Sequence, residues 1–85
     1  MSIFAIIPTV DDHQILDAIN TAQLAVYKLP IGQFLVSYHG TSKELSDLLG
    51  ITDGTKGQAV IIAVGSYFGR TTPNTWEWLK ANWGG

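Results

Sequence analysis

Two short segments of this sequence carry residue types that bind anions. The first consists of His39, Gly40, Thr41 and Ser42, and the second includes Ser66, Tyr67, Gly69, Arg70 and Thr71. Each segment follows a predicted strand and opens a predicted helix, whose N-terminus presents free amides and partial positive charge. With the side chains of His39 and Arg70, these amides predict a site for a phosphate, a carboxylate or another small anion.

The same residues also fit a purely structural role. Thr41 and Thr72 are typical helix N-caps, and the glycines beside them are typical of turns. The segment 65–71 follows an apolar strand like a nucleotide-binding phosphate loop, but it is one residue short and has arginine in place of lysine. We therefore do not predict nucleotide hydrolysis, and the ligand site and the structural role remain open alternatives.

Residues that suggest catalysis are sparse. His39 has serines nearby, but the sequence lacks the G-x-S-x-G motif and an evident orienting acid. His13 and Asp17 are spaced to chelate a metal on one helix face, although such a pair is usually just solvated. Without cysteine there is no disulfide or thiolate site. We leave catalytic residues unassigned, predict no metal and no cofactor, and favour a role other than catalysis.

The C-terminal segment is unusually rich in tryptophan. At about 100° per residue, Trp76 and Trp83 share a helical stripe with Leu79, whereas Trp78 points roughly the opposite way. Either the second indole lies flat on its own sheet, or it contacts another chain. The predicted interface residues are all aromatic: Tyr67, Phe68, Trp76, Trp78 and Trp83.

Strands and helices alternate along the chain. Strands are predicted at residues 2–7, 24–29, 33–39 and 59–64, and helices at 10–22, 41–50 and 72–82. Thr9, followed three residues later by Asp12, is the predicted N-cap of the first helix. The strands at 2–7 and 59–64 are apolar on both faces, which predicts well-covered positions in a sheet. The segment 24–29 runs into Pro30 and fits an edge strand.

This order predicts an α+β fold, the ferredoxin-like split βαβ arrangement (βαββαβ) with an added C-terminal helix. If residues 24–29 do not form a strand, the alternative is a three-stranded parallel βαβαβα fold. The 85 residues fit a single domain, 1–85. Such a fold hosts many functions and does not by itself indicate one.

Composition and charge limit the cellular location and the classes of partner that we predict. The chain is 46% hydrophobic, and its five basic residues are scattered among seven acidic ones. This pattern predicts a packed core but no surface for nucleic acid or anionic lipid. No apolar run approaches the length of a membrane span, and residues 1–4 lack the basic start of a signal peptide. We predict a cytoplasmic location and no membrane or nucleic-acid partner.

Two functions follow from these features. The first is a small non-catalytic domain that self-associates as a two-fold homodimer or binds a protein partner, since a chain this short buries only about 60–65% of its unfolded surface. The alternative is a domain that binds a small anionic ligand, or acts on one, at the helix N-termini near His39 and Arg70.

Overall fold

A computed structural model describes residues 2–83 of the chain. Strands and helices follow one another as β1 (Ser2–Pro8), α1 (Ile15–Thr21), β2 (Ala25–Lys28), β3 (Phe34–Tyr38), α2 (Ser42–Leu48), β4 (Ala59–Ala63) and α3 (Pro73–Asn82). The strands form one sheet in the order β2-β3-β1-β4, and every neighbouring pair is antiparallel. The two edges of the sheet are therefore β2 and β4.

This arrangement corrects the predicted fold class. The chain is α+β, with a four-stranded antiparallel sheet and three helices within residues 2–83. The parallel alternative is wrong, because Ala25–Lys28 forms a strand that pairs antiparallel with β3. The ferredoxin-like description is only loosely compatible with the structure. The added C-terminal helix, α3, packs on the sheet face opposite α1 and α2 and forms a third layer. Both faces of the central strands are apolar, so both need a covering layer.

The larger core lies between the sheet and the helices α1 and α2. Alternate residues of the central strands point to this face, because successive side chains of a strand point to opposite sides. They meet the buried residues of the two helices and of the loop after α2. The cluster contains Phe4, Ile6, Ile15, Ile19, Phe34, Val36, Leu45, Leu49 and Ile51.

The smaller core lies under α3 on the other face. Ile3 of β1 and Leu35 of β3 are buried there against Leu79 of α3. Partly buried aromatic and aliphatic side chains surround these three residues. The helix therefore covers the middle of the sheet and the β2 side of this face.

The first helix begins later than its sequence pattern predicts. The expected N-cap at Thr9 is wrong, because α1 begins only at Ile15, and the Thr9 N–H instead donates to the Gln58 carbonyl at 2.9 Å and extends the pairing with the β4 segment. Gln14 occupies the N-cap position without a side-chain cap bond, and its N–H donates to the Lys56 carbonyl at 2.7 Å. These long-range bonds tie both ends of the segment 9–14 to the residues just before β4.

Candidate functional site

The two predicted anion-binding loops lie at the same end of the sheet. β3 and β4 both run antiparallel to β1, so the loops 39–42 and 65–72 leave the sheet on one side. The helices that follow them, however, pack on opposite faces. Their N-termini thus share an end of the sheet but not a face.

The first loop is organised by its own helix cap. The Glu44 N–H donates to Thr41 Oγ1 at 3.1 Å, and the Thr41 N–H donates to Glu44 Oε1 at 2.9 Å, which confirms the predicted capping box. Gly40 has a φ of +156°, and a Cβ there would lie 2.6 Å from the Tyr38 ring. His39 is exposed. The Thr41 and Glu44 amides and Gly40 are thus accounted for by local structure.

The second loop is organised by aromatic packing. The Tyr67 ring stacks on Trp76 with centroids 5.8 Å apart and meets Trp83 edge-on at 5.0 Å. Phe68 and Arg70 are exposed. A cleft of about 310 Å³ is lined by Tyr67, Phe68, Gly69, Trp76 and Lys80, so neither His39 nor Arg70 belongs to its wall. The anionic-ligand site near those two residues stays a prediction.

Trp76 and Trp78 both pack within one subunit. Thr75 and Leu79 are buried and face the sheet, so the two indoles lie about 80° to either side of that direction at about 100° per residue. Trp76 meets Tyr67, and Trp78 lies 6.1 Å from the Tyr27 ring. Both are partly buried against the smaller core. Opposed indoles therefore need no second chain when the helix rests on the residues between them.

Strand β4 is less covered than the sequence indicates. On the α3 face of the sheet, Val60 is 50% exposed and Ile62 is 48% exposed, and Ile7 beside them on β1 is also exposed. The prediction of a strand covered on both faces is wrong, because α3 lies toward β2, where Trp78 contacts Tyr27. The apolar residues at 59–64 indicated a strand in the sheet, but they could not indicate which half of the sheet α3 covers.

The outer edge of β4 presents unpaired backbone groups. The Thr9 N–H donates to the Gln58 carbonyl and the Val64 N–H to the Ile3 carbonyl, both at 2.9 Å. These bonds show which residues of β4 are hydrogen-bonded to β1, because such pairs alternate along an antiparallel strand pair. Val60 and Ile62 then direct their N–H and C=O groups toward β1, whereas Ala59, Ile61 and Ala63 direct theirs outward. Within residues 2–83, β1 is the only strand that pairs with β4. The strand is a five-residue, uncharged edge, AVIIA.

A second cleft, of about 460 Å³, lies between α1, α2 and the loop after α2. Asp17 and Lys56 line it together with Asp47, whose carboxylate pairs with Lys43 at 2.9 Å. Hydrogen bonds from Thr52 and Lys43 lower the pKa of Asp47 below its usual value. No pattern in the sequence indicates this cleft, because its walls come from separate elements.

His13 and Asp17 do not form the chelating pair that their spacing allows. His13 precedes α1, so the two residues do not share a helix face. The Ile15 N–H approaches His13 Nδ1 at 3.4 Å, and the imidazole packs edge-on against Phe34 at 6.1 Å. His13 thus has a packing role at the start of the helix.

Comparison with known proteins finds no matching family model, no matching curated protein and no matching solved structure. Between residues 2 and 83, no helix is both long enough and apolar enough to cross a membrane.

Proposed function

We propose that this chain is a small non-catalytic domain that self-associates as a homodimer through strand β4. The observation that carries the proposal is the half-exposed apolar surface of β4, formed by Val60 and Ile62 beside Ile7. Contiguous apolar side chains on an ordered surface are typical of sites where another protein binds. We also propose that the association takes place in the cytoplasm.

The energetics favour β4 over the other exposed apolar residues. Val60 and Ile62 are β-branched residues in a paired strand, so their conformations are already restricted and little entropy is lost when they are covered. Phe68 is more exposed but lies in an irregular loop beside Gly69, where no strand pairing restricts its conformation. Covering β4 therefore costs less conformational entropy than covering Phe68, so more of the free energy of burying its side chains contributes to affinity.

The test is the molecular mass of the chain from micromolar to millimolar concentration. Sedimentation equilibrium should show a rise from the 9.2 kDa monomer toward twice that mass. The double variant Val60→Thr with Ile62→Thr keeps β-branched residues but makes the surface polar, and it should remain monomeric. Its circular dichroism spectrum should match that of the parent.

Ile31→Thr is the matched control, because Ile31 is 85% exposed in the turn between β2 and β3 and lies outside β4. This variant should dimerise like the parent. A parent chain that stays monomeric at millimolar concentration contradicts self-association. A dimer that survives the double substitution contradicts β4 as its surface.

A further inference from the structure

We infer that the homodimer forms by antiparallel pairing of β4 with β4 of a second copy, centred on Ile61, so that the two sheets become one. This inference rests on the proposed function, since it specifies how the self-association occurs. Each subunit contributes four strands, and the two β4 strands become the middle of the joined sheet. A two-fold axis passes between the two Ile61 residues and brings the same edge of each subunit together.

The backbone supplies the first argument for this register. Ala59, Ile61 and Ala63 point their N–H and C=O groups away from β1. With the axis at Ile61, Ile61 faces Ile61 of the partner subunit, and Ala59 faces the partner's Ala63. Each of these opposed pairs exchanges two hydrogen bonds, so every outward group of the strand is satisfied. An edge with such free groups is a template for another strand.

The side chains supply the second argument. The strand has alanine at both ends and β-branched residues at its three central positions, so its order is nearly the same in either direction. A two-fold axis at Ile61 places Val60 opposite the partner's Ile62, with Cα atoms about 4.5 Å apart as in other non-hydrogen-bonded pairs. No charged side chain lies between Ala59 and Ala63, so two copies meet without repulsion.

The other edge of the sheet explains why assembly stops at two chains. β2 has only four residues, includes Lys28 and leads into Pro30. It also lies against α3, where the Thr75 hydroxyl donates to the Tyr27 hydroxyl at 3.1 Å. Short edges with lysine and proline resist further strand pairing. One five-residue strand pair is small beside the ~1,200–2,000 Å² of a standard interface, so dimerisation should depend on concentration.

Cysteine pairs test the register directly, because the chain contains no cysteine of its own. We would prepare Val60→Cys and Ile62→Cys chains and oxidise each alone and as an equal mixture at millimolar concentration. Opposed non-hydrogen-bonded residues match the Cα separation of a disulfide. The mixture should give a disulfide between unlike chains at least about tenfold faster than either chain alone.

The outcomes separate the inference from the proposed function. Faster cross-linking of Val60→Cys or of Ile62→Cys with itself places the axis at that residue, one position from Ile61, and overturns the register. A dimeric mass with no cross-link in any sample leaves the proposed function standing and overturns strand pairing. A monomeric mass overturns both.

Amide hydrogen exchange on the unmodified chain tests the β4 pairing independently, and it does not depend on whether a cysteine variant folds. The amides of Ala59, Ile61 and Ala63 should exchange about tenfold more slowly once nine chains in ten are paired. The amides of Val60 and Ile62, which point toward β1, should change far less. The inference is overturned if all five amides are slowed equally when the protein is concentrated. It is also overturned if the chain is dimeric and none of the five amides is slowed.

Discussion

The two edge strands of the sheet, β2 and β4, differ in length, in charge and in the exposure of their side chains. The β2 edge is short, contains Lys28, runs into Pro30 and is braced by α3. The β4 edge is longer and uncharged, and its Val60 and Ile62 side chains are half exposed. A charged residue and a nearby proline are usual protections of an edge strand, and β2 has both whereas β4 has neither. The contrast indicates that β4 is the edge available to another chain.

The difference arises from where α3 rests. The helix follows β4 along the chain, yet it crosses the sheet to reach β2 at the opposite edge. A hydrogen bond of 3.1 Å from Thr75 to the Tyr27 hydroxyl and the packing of Trp78 on Tyr27 hold it there. The same contacts that cover β2 leave the α3 face of β4 without a layer.

The largest expected effect comes from removing the anchor of α3. Leu79 is buried between Ile3 and Leu35, so Leu79→Ala should lower the free energy of unfolding by about 2–5 kcal/mol. Urea denaturation measures this loss. Glu77→Ala, on the exposed side of the same helix, should stay within about 0.5 kcal/mol of the parent. Similar losses for the two variants would contradict the view that α3 is held by its buried face.

A second variant removes one protection of the β2 edge. Lys28→Val makes β2 as uncharged as β4, so dimers should begin to pair through their outer strands. Sedimentation velocity at millimolar concentration should then show species larger than a dimer, which the parent lacks. Lys80→Val, an equal loss of charge on α3, is the control. If Lys28→Val assembles like the parent, Pro30 and α3 protect the edge without the lysine.

The features that the sequence predicted well are local ones. The capping box of α2 depends on Thr41 and Glu44, which are three residues apart, and the structure contains both of its hydrogen bonds. The edge strand predicted at 24–29 is found as Ala25–Lys28, because a turn follows it directly. Hydrophobic alternation and turn residues act over a few positions, so they are visible in a single sequence.

The features that the sequence missed depend on distant partners. Thr9 looked like a helix cap, but its N–H is bonded to Gln58, 49 residues along the chain. Whether Trp76 and Trp78 both pack within one subunit stayed open in the sequence, because it depends on Tyr67 and Tyr27, which cover the two indoles from either side. The exposed face of β4 depends on where α3 lies, and no local pattern encodes that position.

A smaller effect is expected at the cap of α2, the helix that packs against β4. Thr41→Ala removes the acceptor of the Glu44 N–H, which should lower the free energy of unfolding by about 1 kcal/mol. Thr41→Ser keeps the hydroxyl and should restore most of the loss, as measured by thermal unfolding. If serine and alanine are equally destabilising, the hydroxyl bond is not what stabilises the start of the helix.

The smallest expected effect concerns the loop that leads into β4 and its response to acid. The Thr55 N–H and hydroxyl donate to Asp53 at 3.0 and 2.9 Å, and the backbone bond is the main cause of a pKa lowered from its usual value. Because the folded pKa lies below the unfolded value of about 3.9, this stabilisation is present above that pH. It is lost as the pH falls through the folded pKa. Asp53→Asn should therefore flatten the fall in melting temperature below about pH 4, while Glu77→Gln should leave the Asp53-dependent fall in place. If the parent and Asp53→Asn lose stability in parallel across that range, the Asp53 turn does not make the β4 side of the sheet acid-sensitive.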